Sequence, residues 1–214
     1  MLKYAFVGLF VKSFNAYETT FDRRTNIHNY YNVRNVRQDV INAQGYNKKI
    51  LDIGCGLGFS TSSNRGSLGI DNNLHTIQYA STLFPKKKFE FGDVLFWESD
   101  EMYDVMTSMF YLHKNPRDVR QKIIQLGKKY ATERIVIVDL SPDYEPNDVL
   151  TDRQPHLQDY LETCREDFSG FTEWVIVKNK IHMWTLEHDE DVKQSEEIYD
   201  YDALMRMMRF YRPM

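Results

Sequence analysis

Apolar and polar positions follow two periods along this chain. Between residues 27 and 44, Ile27, Tyr30, Val33, Val36, Val40 and Ile41 recur at about 3.6-residue spacing, and Gly45 follows. That predicts a helix over 27–44 with a glycine stop. Residues 50–53 (ILDI) are a short apolar run ending in glycines, the pattern of a buried strand. Residues 67–70, 89–91 and 103–109 read as three more strands. Residues 72–83 and 117–130 read as helices, the second carrying Val119, Ile123, Ile124 and Leu126. Residues 134–138 (RIVIV) are the most strand-like segment of all. Strands separated by single helices imply βαβ units and a parallel sheet.

The pattern changes after Pro142 and Pro146, which mark an acidic loop before a predicted helix over 154–167. Residues 174–177 and 181–186 then flank Lys178, Asn179 and Lys180. Two strands joined by so short a polar turn form an antiparallel hairpin. The fold class is therefore α/β, a mostly parallel sheet with an antiparallel C-terminal hairpin strand. Residues 195–212 predict a further amphipathic helix, with Ile198, Tyr201, Leu204, Met205, Met208 and Tyr211 as its apolar stripe. Acids crowd its first half and Arg206, Arg209 and Arg212 its second, which suits the helix dipole. Three segments follow: a helical N-terminal segment over 1–45, a main domain over 46–190 and a C-terminal helix over 191–214.

Composition narrows the class. A chain of 214 residues, 42% hydrophobic and 14% aromatic, is long and apolar enough for one self-sufficient core, which excludes a disordered chain. The two cysteines, Cys55 and Cys164, exclude a disulfide framework and a four-cysteine zinc site, and no metal is expected. The longest early apolar run, residues 4–11, falls far short of the ~20 residues of a spanning helix. No small-x-small cleavage pattern follows it, so no export or membrane association is expected. A cytoplasmic protein with reduced thiols is. The net charge of −4 argues against a globally basic nucleic-acid binder but averages unlike parts. Residues 1–49 carry eight Lys/Arg against three acids, a net of +5, whereas residues 187–202 carry eight acids against Lys193.

The candidate chemistry sits in Leu51-Asp-Ile-Gly-Cys-Gly-Leu-Gly58, directly after a predicted strand. Glycines there let the backbone turn sharply and approach a ligand closely. A dinucleotide fingerprint would need glycine at 59, where Phe59 stands, and a phosphate-cradling loop would need a Gly-Lys-Ser/Thr ending. Asp52 opposes an anionic ligand and suits a cationic one. Asp71 ends the second strand, where an acid can accept from both hydroxyls of a ribose. Asp93 follows the third strand, where a carboxylate and the next backbone N–H can meet an adenine edge. Any one such acid is ordinarily a turn residue; the ordered set is the signal.

With these residues in this order, the chain resembles the class I S-adenosyl-L-methionine-dependent methyltransferases over about residues 27–187. The resemblance rests on the glycine loop, Gly69-Ile-Asp71, Gly92-Asp-Val94, residues 103–113 (YDVMTSMFYLH) and residues 134–139 (RIVIVD). It implies a three-layer, Rossmann-like sheet whose last strand is antiparallel, and S-adenosyl-L-methionine as cofactor. It implies that Asp52, Gly54, Cys55, Gly56 and Gly58 hold the methionine part and Asp71 the ribose. Asn72 would lie along the adenine, Asp93 and Val94 would hold it, and Met109 with Phe110 would face the transferable methyl. One departure stands out. Only 12 residues separate Gly58 from Asp71, so the first helix, from Ser60 to about Asn64, must be short.

Such a reaction needs little machinery, because an activated methyl asks mainly for an aligned nucleophile. His113 is the candidate general base, with Tyr111, Glu145 and His156 behind it. The fourth strand is not followed by Asn-Pro-Pro-Tyr, and no Pro-Cys dipeptide exists, so methylation of DNA amino groups or covalent attack on a pyrimidine is not expected. Cys55 reads as a small packing residue. Tyr17, Tyr30, Tyr31, Phe110 and Tyr111 are the candidate walls of an acceptor pocket, since N-terminal segments in this family commonly close over the substrate. The expected reaction is methyl transfer to an oxygen or nitrogen of a small molecule. The alternatives are an RNA or protein acceptor, with nucleic acid met through residues 1–49, and a non-catalytic partner subunit.

Overall fold

The computed structural model describes residues 36–188, together with the backbone of residues 199 and 200. Helix α1 (Val36–Ala43) precedes strand β1 (Ile50–Ile53), followed by β2 (Leu68–Asp71), α2 (Leu74–Leu83), β3 (Phe89–Phe91) and β4 (Tyr103–Met109). A 3-10 turn (Leu112–Lys114), α3 (Arg117–Tyr130) and β5 (Ala131–Leu140) come next. The chain closes with α4 (Asp148–Arg153), α5 (Leu157–Asp167), β6 (Thr172–Val177), β7 (Ile181–Glu187) and the two-residue β8 (Tyr199–Asp200).

The strands form one sheet in the order β3-β2-β1-β4-β5-β7-β6-β8. β3, β2, β1, β4 and β5 run parallel. β7 pairs antiparallel with both β5 and β6. All four residues of β1 are buried, as a strand covered on both faces requires. Residues alternate along β5 between two cores. Ile135 and Ile137 pack with Ile123, Leu126, Tyr160 and Trp184, largely from α3, α5 and β7. Val136 and Val138 pack with Val36, Val40, Met109 and Phe110 on the α1 side. Strand order reverses between β1 and β4, and in open α/β sheets a ligand crevice opens at the C-terminal ends of strands at such a point.

Several expectations shift here. The helix over 27–44 is described only from Val36, and its earlier part lies outside the described residues. The helix over 154–167 begins only at Leu157, after Pro155, because proline disfavours helical backbone before it, and a further short helix, α4, forms at 148–153 in the expected acidic loop. The helix over 195–212 also lies outside the described residues, except at 199–200, where the backbone is the strand β8 beside β6.

The short first helix is the main correction. None of residues 54–67 is helical. The hydroxyls of Ser60 and Thr61 turn inward to Asp52, so the segment closes on side-chain bonds instead of a helical ladder.

Candidate functional site

The glycine loop leaves β1 by swinging over β2. The amides of Gly54 and Cys55 both donate to the Ile70 carbonyl, at 2.9 and 3.0 Å. Gly54 and Gly58 have φ of +72° and +83°, a left-handed backbone that favours glycine. Crowding adds a second reason. A Cβ on Gly54 would lie 2.2 Å from the Tyr111 ring, and one on Gly58 would lie 2.5 Å from the Phe89 ring.

The loop meets Asp71 at the tip of β2. Asp71 Oδ2 accepts from the Gly56 amide at 3.0 Å, and Oδ1 accepts from the Asn73 amide at 2.9 Å. Asp71 is half-buried, and burial pushes its carboxyl up against the two amides that pull it down. Asn72 beside it is exposed, and Asn73 caps α2 by accepting from the Thr76 amide. On the neighbouring strand, the Gly92 amide donates to the Asp71 carbonyl, which brings the turn after β3 alongside. Asp93 is exposed at that turn, its Oδ1 accepting from the Leu95 amide at 3.0 Å, while Val94 is buried.

Asp52 lies beneath the loop. Its side chain is fully enclosed, and three hydroxyls surround it. Ser60 and Thr61 donate to Oδ2 at 2.8 and 2.7 Å, and Thr107 of β4 to Oδ1 at 3.2 Å. Burial is the largest influence on this carboxyl and drives it above the usual range despite those bonds. Cys55 is buried too, and its thiol is pushed up by burial first and by Asp52 and Asp71 next, which keeps it an inert packing group.

The end of β4 and the segment after it divide between three places. Met109 and Phe110 are buried on the α1 side. Phe110 has φ of +56°, a strained conformation for a bulky residue, and Arg37 of α1 lies 4.5 Å from its ring centroid. Tyr111 turns the other way and packs on Gly54. Its phenol is pushed up to about 12, first by burial and then by the charges of Asp71 and Asp93. Tyr111 therefore sits among the expected cofactor residues, and a phenol so placed is a poor base at neutral pH.

His113 is enclosed completely, with 0% of its side chain exposed. Its Nδ1 lies 2.5 Å from Asp139 Oδ1, and the Leu112 and His113 amides donate to Asp139 Oδ2. The ring packs edge-on against Tyr160, whose hydroxyl donates to the Leu140 carbonyl. The expected base thus braces the turn after β4 from within the core. Arg120, also enclosed, strengthens this brace by donating to Asp167, Asp159, Thr163 and the Asn115 carbonyl.

Tyr17, Tyr30 and Tyr31 lie outside the described residues. The hydroxyl cradle of Asp52 was not legible in advance, because Thr107 is distant in sequence and Ser60 and Thr61 looked helical. The left-handed Phe110 and the tie from Lys87 to the Gly58 carbonyl also had no signal in the pattern. Among the described residues, no group of three or more His, Cys, Asp or Glu is placed to hold a metal ion. No helix among them is long and apolar enough to cross a membrane.

Known proteins share this architecture. A TehB-like S-adenosylmethionine-dependent methyltransferase from Corynebacterium glutamicum superposes with a TM-score of 0.53 at 20% identity, over 78% of this chain and 95% of that one. The N-methyltransferase NodS from Bradyrhizobium japonicum gives 0.52 at 15% identity, over 72% and 93%. An S-adenosylmethionine-dependent methyltransferase from Mesorhizobium loti gives 0.51 at 15% identity, over 72% and 98%. In sequence, the chain is 36% identical over 72 residues to the protein named Putative methyltransferase 235L of Invertebrate iridescent virus 6. That match covers 31% of this chain and 27% of the relative, about a quarter of its length. No family model matches. The fold is that of the S-adenosylmethionine-dependent methyltransferases, with the glycine loop and its acids at the strand ends where that fold opens its crevice.

Proposed function

We propose that the protein is an S-adenosyl-L-methionine-dependent methyltransferase acting on an oxygen or nitrogen of a small molecule. One observation carries the reading. A glycine loop with no helix behind it runs over the enclosed Asp52 and meets Asp71 at the tip of β2, with Asp93 exposed at the turn after the neighbouring β3. A helix N-terminus at the loop would favour a phosphate; its absence, with three acids, favours a phosphate-free nucleoside bearing a cation. The half-buried Asp71, oriented by two amides, suits a ribose diol. The exposed Asp93 and the amide of Val94 suit an adenine edge.

When bound, the cofactor would supply an electrophilic sulfonium methyl. The protein's own part is to orient and to exclude water. Gly54, Gly56 and Gly58 let the backbone come close, Tyr111 walls the loop, and Met109 and Phe110 close the end of β4. The His113–Asp139 pair holds the turn that carries these side chains, and no strict base is needed for an acceptor that arrives with a free lone pair. The N-terminal segment 1–45, with Tyr17, Tyr30 and Tyr31, covers the acceptor in this reading. A solved neighbour of the same fold is by name an N-methyltransferase, which agrees with a nitrogen acceptor.

The test has two arms. Calorimetry on the full chain should show binding of S-adenosylmethionine and of its demethylated product, and Asp71→Ala should weaken both by about tenfold or more, the worth of a charge-assisted hydrogen bond. A methyl-transfer screen with labelled cofactor against metabolite, RNA and protein pools should label metabolites. Label in RNA or protein would replace the small-molecule acceptor. No binding by the wild-type chain, or wild-type affinity in Asp71→Ala, would overturn the cofactor assignment.

A further inference from the structure

The missing first helix leaves two tasks undone at the glycine loop: holding its last residues and balancing the charge beneath it. In related nucleotide folds the helix that follows the loop contributes both a fixed backbone and a positive N-terminal dipole. Here residues 58–61 are held by other means. Lys87, in the turn between α2 and β3, reaches back and donates from Nζ to the Gly58 carbonyl at 2.8 Å. The same ammonium stands 4.1 Å from the centroid of the Phe84 ring, and that ring meets Phe59 edge-on at 5.5 Å. Ser60 and Thr61, next along, are bonded to the enclosed Asp52.

We propose that Lys87 is a positioning residue that replaces the missing helix, fixing the end of the cofactor loop and offsetting the buried charge of Asp52. The proposal rests on the cofactor reading above for its effect on affinity, but its effect on the loop does not. Two independent features favour it. A half-buried lysine is costly unless its ammonium is used, and this one gains a carbonyl, an aromatic face and the Asp52 charge, which pulls its proton affinity back up against burial. The loop end also has no helix behind it, only turn bonds from the Gly58 amide to the Cys55 carbonyl and from the Thr61 amide to the Gly58 carbonyl beside the hydroxyl bonds to Asp52, so the cross-link from the α2–β3 turn limits how freely it opens.

The experiment compares wild type, Lys87→Met, Lys87→Arg, Asp52→Asn and Lys87→Met/Asp52→Asn, all as the full chain. Hydrogen exchange without ligand should show amides in 54–61 exchanging about tenfold faster in Lys87→Met, with the core strands unchanged. Calorimetry with S-adenosylhomocysteine should show about tenfold weaker binding in Lys87→Met and recovery in Lys87→Arg. The double variant should bind more tightly than the product of the single losses predicts, because removing the Asp52 charge removes what Lys87 offsets. Unchanged loop exchange in Lys87→Met would overturn the proposal, as would strictly additive losses or a melting point lowered with affinity intact. If wild type binds no S-adenosylhomocysteine, the cofactor reading fails, and the exchange arm alone still decides whether Lys87 holds the loop.

Discussion

Asp52 and Asp139 are both enclosed at 0% exposure on strands of one sheet, yet their carboxyls are driven in opposite directions. Burial raises Asp52, and neutral hydroxyls from Ser60, Thr61 and Thr107 return only part of the cost. Burial also acts on Asp139, but the His113 imidazole and backbone amides outweigh it and hold the carboxyl below its usual range. The difference separates two kinds of polar core. Amides and a fixed imidazole make a rigid brace, since neither rotates away. Hydroxyls on a loop without helical bonds make a cradle that can re-form. The brace belongs to the scaffold, and the cradle lies under the residues that would meet the cofactor.

Breaking the brace should do the most damage. Asp139→Ala leaves buried His113 and several amides without their acceptor, and should cost about 3–5 kcal/mol in chemical denaturation. Asp52→Ala strands three hydroxyls and should cost less, about 1–3 kcal/mol by the same measurement. If the two losses are equal, the distinction between brace and cradle fails.

The pH dependence sharpens the contrast, because the signs differ. Asp139 has a lowered carboxyl, so it stabilises the fold above pH ~3.8 and that contribution is lost as pH falls through its folded value. The deficit of Asp139→Asn against wild type should therefore be largest near neutral pH and shrink on acidification. Asp52 has a raised carboxyl, so its contribution is full below pH ~3.8 and is lost as pH rises through its folded value. Asp52→Asn should gain on wild type as pH rises from 4 to 7. Denaturation curves at several pH values would show slopes of opposite sign; parallel slopes would break the comparison. The smallest effect should come from Thr107→Val, which removes one 3.2 Å bond to Asp52 and should cost about 0.5–1.5 kcal/mol.

Much of the scaffold was readable along the chain. Helix α3 spans 117–130, as the spacing of Ile123, Ile124 and Leu126 predicts, and the polar turn 178–180 marked the hairpin of β6 and β7. The positions of Asp71 and Asp93 at strand ends were legible for the same reason, since a strand's end is a local feature. The non-helical course after Gly58 was not, because the hydroxyls of Ser60 and Thr61 turn inward only where the fold sets Asp52 beside them. His113 looked like an open loop histidine, since nothing local reveals that Asp139, 26 residues on, encloses it. Lys87 sat in a run of three lysines that reads as a solvated turn, and only the crossover that brings β3 beside β2 carries it to Gly58.

Alone, the amino-acid order determined periodicity, strand and helix content, and the glycine loop with its ordered acids, because these depend on spacing and backbone freedom over a few residues. Tertiary structure decided the state and role of each ionisable group. Burial, hydroxyls and amides arrive from distant strands, and the electrostatic cost of a charge depends on everything packed around it. The same residue type therefore became a cradle at Asp52 and a brace at Asp139.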